Sequence, residues 1–500
     1  MEELKQLSKL EEFWIYFERV SSIPRCSGNE AKIREFVKKE AENFGYITKI
    51  DDVGNLLVII PQQGSNSDKK VIIQCHLDMV CEKESTSSHD FSKDPIKPKI
   101  VELNGEKWLK ANGTTLGADN GVGIAYLLTL MRKIYEKKLN FGNIKLNLLF
   151  TVDEESGLVG AFNLKDDFVK GDFLINVDSE EDDTFIIGCA GGINTIIEFK
   201  GTDFFIEINN LNAFKRVILS VKGLKGGHSG VDIHRGLGNA LKIISQLLWK
   251  LNKIYNINLE SINGGNRPNA IPREAEAIFF IKKNELQKFE TDLNKYISEI
   301  KRQFKLIEPN ITIESEYVDI KSKNKILRED FKNRLISALF IIPNGPQSYD
   351  FKIKELVHSS TNLASIRSNF DEIRIITSQR SLDDISKMII SEQIEALFRL
   401  IDSNVSISRS NEYPGWEPDW DSKLLEISKK IYKKLFNSEP YIKIIHAGLE
   451  CGIIKRHFPS LDTISIGPTI INAHSPDEAL KIKSIDKIWN FLVELLKNIN

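Results

Sequence analysis

Four apolar, strand-like runs in this chain stop at an acidic residue or a histidine, and that repeated ending constrains the fold more than any other feature. VIIQC, from Val71, runs into His76-Leu77-Asp78; NIKLNLLFTV, from Asn143, into Asp153-Glu154-Glu155; DFLINV, from Asp172, into Asp178. The fourth, TISIG, is followed by INAHSPDE, which carries His474. Helical patterns lie between them. EAKIREFVKKEAENF at 30–44 spaces its apolar residues along one face, and GVGIAYLLTLMRKIYEKK, from Gly121, is an apolar helix with a basic end. Strands alternating with helices predict a doubly wound α/β domain around a mostly parallel sheet. In such sheets ligands bind in the crevice beyond the C-terminal ends of the strands. These acids and histidines fall there.

A chain of 500 residues exceeds the usual size of one core, so two domains are expected. The pattern changes after GCAGGINT at 188–195. A strand RVILSV, a glycine-rich turn GLKGGHSG and the amphipathic helix GLGNALKIISQLLWKLNKI follow, then a further helix around ELQKFETDLNKYISEIKRQF. A second, similar set begins near Lys325, so the region reads as one α+β module or as two related ones. The Pro- and Trp-containing connector SNEYPGWEPDW at 410–420 leads back to helix and strand. The expected organisation is an α/β catalytic domain formed by 1–188 and 409–500, interrupted by a large inserted α+β domain at 189–408.

Charge excludes some functions. Sixty-eight Lys plus Arg against 70 Asp plus Glu gives a net charge of -2, with no basic footprint for nucleic acid and no polybasic membrane patch. The segment MEELKQLSKLEEFW lacks the basic-then-apolar order of a secretory signal, and no apolar run is long enough to cross a bilayer. Five cysteines without a CxxC pair suggest a reducing cytoplasm and no disulfide framework.

On an extended strand residues i and i+2 share a face, so His76 and Asp78 can present an imidazole and a carboxylate to one point. Asp119, in GTTLGADNGVG, stands just before a glycine-rich helix start, where the helix dipole favours an ionised carboxylate. Taken singly, each of these residues has an ordinary explanation: acids cap helices and fill turns, and histidines sit at strand ends for structural reasons. Gathered at one sheet edge, carboxylates repel unless protonated or neutralised by cations. Two histidines with several acids suit zinc or a similar divalent ion, and the oxygen-rich set also admits manganese or cobalt. If Glu155 faces metal, its neighbour Glu154 points elsewhere and is free to act as a base.

The segments HLDMV, GTTLGADNGVGIA, TVDEESGLVGA, NVDSEE and NAHSPDE resemble, in order and spacing, the co-catalytic zinc peptidases that include aminoacylases and dipeptidases. The longer phrases QCHLDMVCEK, IPRCSGNE, GLKGGHSGVDIHRGLGNA and HAGLECG are similar to the Xaa-His dipeptidase branch of that family, and the likeness runs from about Ile23 to His474. The resemblance implies that His76, Asp119 and Asp178 hold one metal ion and that Asp119, Glu155 and His474 hold a second, with Asp119 bridging. It implies that Asp78 orients His76, and that a water between the two ions attacks the peptide carbonyl while Glu154 serves as general base and acid. It also implies a cis peptide between Asp119 and Asn120. The inserted domain corresponds to the family's lid, with His228 stabilising the oxyanion. His446 and Glu450 match a substrate-contacting loop, and Asn269 and Arg273 are candidates for gripping the substrate carboxylate. His89, His234, His358 and His457 are read as structural or surface residues.

The expected function is a cytoplasmic two-metal dipeptidase acting on small unblocked dipeptides of the Xaa-His type; association as a homodimer through the lid stays open. An N-acyl-amino-acid deacylase or carboxypeptidase on the same site is one rival. A non-catalytic binding protein that keeps the fold is another, disfavoured because every position matching a ligand holds a competent residue. A two-metal phosphoesterase is disfavoured by the lack of a phosphate-cradling Gly-Lys loop.

Overall fold

A computed structural model describes the chain apart from residues 1–3, 5, 6, 63, 65–68, 143, 209, 319–324 and 500. The polar segment QQGSNSDKK at 62–70, whose composition reads as a turn between two strands, therefore lies largely outside the described residues. The chain forms two compact units. The first comprises Met1–Cys189, Trp416–Ile444 and Leu449–Asn500; the second comprises Ala190–Gly415 and Ile445–Gly448. The return from the insert falls after Gly415 because strand Ser406–Tyr413 pairs antiparallel with Gly191–Lys200 inside the insert's own sheet.

The first unit is built on an eight-stranded sheet. Its centre is parallel: Lys70–His76 lies between Lys145–Thr151 and Phe173–Asn176, and Asp462–Ser465 pairs parallel with Phe173–Asn176. Antiparallel pairs extend it on one side, Leu56–Ile60 on Lys145–Thr151 and Ile47–Ile50 on Leu56–Ile60; on the other side Thr184–Cys189 pairs antiparallel with Asp462–Ser465, and Tyr441–Ile445 follows at the edge. Strand Lys70–His76 is buried from Val71 onward, as a strand covered by helices on both faces must be. Helix Ala118–Tyr135 is buried along nearly its whole length. Phe13 of helix Glu11–Ser21 packs on its Tyr126 at 4.8 Å between ring centroids. Trp489 of helix Ile482–Asn498 stacks on the same Tyr126.

One expectation is corrected here. Cys26 and Cys81 are joined by a disulfide, with Cα atoms 5.7 Å apart across 55 residues of sequence. The pairing could not be read from spacing, because it depends on the loop after Ile23 bridging to the end of HLDMV through Cys26 and Met79. Cys75, Cys189 and Cys451 are free and buried. Among the described residues no helix is long and apolar enough to cross a membrane.

The second unit carries a nine-stranded antiparallel sheet. Strands Phe214–Lys222, Asn258–Gly264, Ala275–Lys282 and Thr312–Val318 form one half; Gly191–Lys200, Val357–Ser368, Glu372–Ser381 and Ser406–Tyr413 form the other, and the ninth strand, Gly345–Tyr349, pairs with Val357–Ser368. The halves meet through the pair Gly264 and Ile366. Each half follows the four-strand, two-helix plan, with Ala240–Tyr255 and Leu286–Phe304 in one and Glu329–Ile341 and Asp384–Arg399 in the other. Of the two organisations left open by the sequence, two related modules describes this sheet. Helix Ala240–Tyr255 buries Leu241, Ile244, Leu247, Leu248, Leu251 and Tyr255, an apolar face at helical spacing. Its start is capped by Asn239, whose side chain accepts from the N–H groups of Leu241 and Lys242.

Lys242 closes the neighbouring helix. Its ammonium donates to the carbonyls of Leu339, Phe340 and Ile342 at 3.0, 2.7 and 2.8 Å, the orphan acceptors at the end of Glu329–Ile341. Burial pushes its pKa down to about 8. Lys242→Met keeps the length of the stem and leaves these carbonyls without a donor. It should destabilise the inserted unit by about 3 kcal/mol, read as a lower urea midpoint at neutral pH.

Candidate metal centre

The strand ends converge. His76 is the last residue of Lys70–His76, Asp178 stands two residues after Phe173–Asn176, and Glu154 and Glu155 open a short helix just beyond Lys145–Thr151. Asp119 lies in the first turn of Ala118–Tyr135, where the helix path is kinked and the Asp119–Asn120 peptide is cis. His474 follows the short strand Ile470–Ile471 with a left-handed φ of 62°. Asp153, before Glu154, is also left-handed, at 52°. The chain turns sharply at each point, so the acids face the crevice instead of continuing their strands.

Asp119 sits between the two imidazoles. Its Oδ1 lies 2.9 Å from His76 Nε2 and its Oδ2 lies 3.0 Å from His474 Nε2. His76 Nε2 is also 3.3 Å from Asp178 Oδ1, and His474 Nε2 is 3.0 Å from Glu155 Oε2. Two donor triplets result, His76 with Asp119 and Asp178, and Asp119 with Glu155 and His474, each with its ligand atoms within 4.8 Å of one another. His76 is buried, whereas His474 is 51 % exposed, so the second triplet opens to solvent.

Asp78 does more than face His76. Its Oδ1 lies 3.2 Å from His76 Nδ1, leaving Nε2 directed at Asp119 and Asp178. The two carboxylate oxygens also accept the backbone N–H groups of Glu154 and Glu155 at 3.0 and 3.1 Å, and Ser27 Oγ donates to Oδ2. Burial opposes this charge, but His76 and these donors hold the Asp78 pKa down at about 2. One carboxylate therefore positions a proposed ligand from the first strand and the backbone of the glutamate pair from the second.

The charge balance fits divalent cations. Among the described residues no lysine or arginine forms an ion pair with Asp119, Glu154, Glu155 or Asp178, and Glu155 Oε1 is buried without a hydrogen-bond partner. Protons take up the excess charge. Hydrogen bonds that His474 donates to Asp119 and Glu155 draw its pKa up to about 11. His76 is raised as well, burial being outweighed by Asp178 and Asp119. Glu154 is pushed well above the usual carboxylate range by burial and by Glu155 and Asp178. Imidazole nitrogens with carboxylate oxygens form a donor set for zinc, manganese or cobalt.

Two acids close to this cluster were not singled out by the sequence. Glu180, in NVDSEE, has its pKa pushed up to about 8 by burial and by Asp119. Glu478, in NAHSPDE, accepts four backbone N–H groups. Both are second acids of motifs whose first acid or histidine drew the attention, and neither has a spacing signal of its own. The phrase HAGLECG divides between the two units. Glu450 is fully buried in the first, where Oε2 accepts from Gln74 Nε2 and Thr151 Oγ1 at 2.5 and 2.8 Å and burial pushes the pKa up to about 8.

His446 belongs to the second unit, buried, with Nε2 2.7 Å from Ser360 Oγ. His228 lies in the same unit, on the glycine-rich turn. Its Nδ1 accepts from the N–H groups of Gly230 and Val231, so in the neutral ring Nε2 carries the proton. Asn269 and Arg273 are exposed there, and Arg273 Nε donates to the Leu224 carbonyl. Arg380, a residue the sequence reading passed over, is buried; Nη1 donates to Tyr413 and Nε has no partner. His358, read as structural, is 2.7 Å from Asp383 Oδ2.

With this geometry in view, the similarities to known proteins fall into place. A family model described as "Peptidase family M28" matches residues 55–190, and one described as "Peptidase dimerisation domain", of the M20 peptidases, matches 219–307. The chain is 37% identical over 501 residues to the cytosol non-specific dipeptidase of Escherichia coli, covering 100% of this chain and 99% of that one. Its structure is similar to that of aminoacylhistidine dipeptidase from Vibrio alginolyticus, with a TM-score of 0.84, 34% identity, and coverage of 98% of this chain and 96% of that one. The aminopeptidase PepT of Bacillus cereus shares the fold at a TM-score of 0.56 and 16% identity. The expected α/β fold with an inserted domain is the fold of these peptidases, which are metal-dependent hydrolases of peptide bonds, and this chain belongs to their M20 dipeptidase family.

Proposed function

We propose that this chain is a two-metal dipeptidase that hydrolyses unblocked dipeptides, with a preference for a C-terminal histidine. The observation that carries the reading is the Asp119 carboxylate set between two imidazoles, one oxygen toward each. His76, Asp119 and Asp178 would hold one ion and Asp119, Glu155 and His474 the other, most simply zinc given the nitrogen and oxygen donors. Bound there, such a pair polarises a carbonyl oxygen and makes water acidic near neutral pH.

The chain's own groups carry the rest. Glu154 is the acid of its pair without an imidazole hydrogen bond, and its backbone is fixed by Asp78. It takes the proton of the attacking water and returns it to the leaving amine nitrogen. His228, with its proton on Nε2, is suited to donate to a developing oxyanion. For the substrate carboxylate, Asn269 and Arg273 offer exposed donors. Arg380 offers a buried guanidinium with an unpaired Nε and no carboxylate in ion-pair range among the described residues. His446 would be a substrate contact as a neutral ring. Glu450 would act from beneath, holding Gln74 and Thr151, whose strands deliver His76 and the glutamate pair.

The activities named for the relatives support the substrate class: cytosol non-specific dipeptidase for one, aminoacylhistidine dipeptidase for the other. Cytosolic residence and assembly through the inserted unit belong to the same proposal, the second supported by the dimerisation-domain match at 219–307.

Glu154→Gln should retain both metal ions by elemental analysis and lose about 10²–10⁴-fold in kcat. Near-native turnover in that variant rules out the base assignment. On a substrate panel, free Xaa-His dipeptides should be cleaved and N-acylated amino acids should not; the reverse result selects the deacylase. A pH effect follows from His446, whose pKa burial and the Arg380 charge push down to about 3. An unfolded histidine titrates near 6.5. Between those values the unfolded chain binds a proton that the folded ring refuses. Stability is therefore whole above about pH 6.5 and falls as the pH drops toward 3. Chemical unfolding of His446→Gln should show a shallower loss across that window than the parent.

A further inference from the structure

Two buried side chains outside the donor set grip the backbone that carries it. Arg25 is 2% exposed. Its Nη1 donates to the carbonyls of Leu77 and Asp78 at 3.2 and 2.6 Å, and its Nη2 donates to the carbonyl of Gly117. Glu478, 1% exposed, faces the same segment from its amide side. Its Oε2 accepts from the N–H groups of Leu116 and Gly117 at 2.7 and 2.8 Å, and its Oε1 from those of Ala118 and Asp119 at 2.8 and 3.3 Å. Gly117 is thus held at its N–H by a carboxylate and at its C=O by a guanidinium. The position admits no side chain. Its φ is 67°, and a Cβ would lie 2.7 Å from both Arg25 Nη2 and Met79 Sδ.

The two contacts connect segments that sequence keeps far apart. Arg25 ties Leu77 and Asp78, next to His76, to the loop that leads into Asp119. Glu478, four residues after His474, ties the His474 segment to that same loop. Neither side chain reaches the crevice. Resting on the metal-site reading above, we propose that Arg25 and Glu478 are positioning residues. They clamp the Gly117 peptide from both sides so that the two oxygens of Asp119 are presented equally to the two imidazole-bearing segments. All four acceptor directions of Glu478 are used, so an amide cannot replace it: one end would turn an NH₂ toward two N–H donors. A lysine at 25 keeps the charge but offers one ammonium for carbonyls on two segments.

The test compares Glu478→Gln, Glu478→Asp and Arg25→Lys with the parent and with Tyr126→Phe. Tyr126→Phe removes a buried hydrogen bond to the Ile485 carbonyl in the same unit and lies outside the site. For each, zinc affinity is measured by competition with a chromophoric chelator, melting is measured metal-free, and kcat and KM are measured at saturating zinc. The expected result is zinc binding weakened about 10–100-fold and kcat reduced while KM changes little, with metal-free melting no lower than that of Tyr126→Phe. Native zinc affinity in these variants overturns the proposal. So does an equal loss of affinity in Tyr126→Phe, or failure of all three variants to fold without metal, since either makes the pair a general support of the unit. A parent protein that binds no divalent ion overturns the metal-site reading itself, and this inference with it.

Discussion

The structure depends on a concentration of negative charge at the C-terminal edge of a parallel sheet. Asp78, Asp119, Glu154, Glu155 and Asp178 converge where, among the described residues, only two imidazoles stand in ion-pair contact with them. Such a group is costly to bury without cations or protons to balance it. The raised affinities of His76 and His474 for protons express that imbalance directly. The surrounding architecture reads as the means of holding these acids together despite their repulsion.

Much of that holding is done by backbone amides and carbonyls. Asp78 accepts the N–H groups of Glu154 and Glu155; Glu30 Oε1 accepts those of Gly28 and Asp153; Glu478 accepts four more before Asp119. Amides stabilise carboxylates without adding a side-chain cation that would compete for the crevice. Arg25, the buried cation of this region, is turned onto carbonyls and away from the donor set. The proposed ligands can then stay unneutralised by the protein and available to metal.

The inserted unit follows a different rule. Burial and the neighbouring Arg380 charge keep the His446 ring neutral. An unpaired guanidinium nitrogen and a histidine proton fixed on Nε2 form a receptor for negative charge. Electropositive groups are thus prominent in this unit, and carboxylates dominate the cluster of the other.

Legibility followed how local each signal was. The strand endings marked His76, the run Asp153–Glu155, Asp178 and His474, and a glycine-rich helix start marked Asp119, because such an ending carries its own evidence in five or six neighbouring letters; the division of these residues between two metals came from the resemblance. Helix Ala240–Tyr255 was readable from periodicity for the same reason. Arg25, Glu478 and Arg380 were not, since a single charged residue in a loop or strand looks solvated until its partners are known. The Cys26–Cys81 bridge and the pairing of the two sheet halves through Gly264 and Ile366 likewise join distant segments. By itself the sequence determined which residues end the strands, the alternation that makes the first sheet parallel, and the chemistry of the donor set. Tertiary structure alone decided that Asp119 lies between two imidazoles, that Asp78 serves two segments, and that Gly117 is gripped from both sides. These are distances between residues tens to hundreds of positions apart, and no local pattern of side chains encodes them.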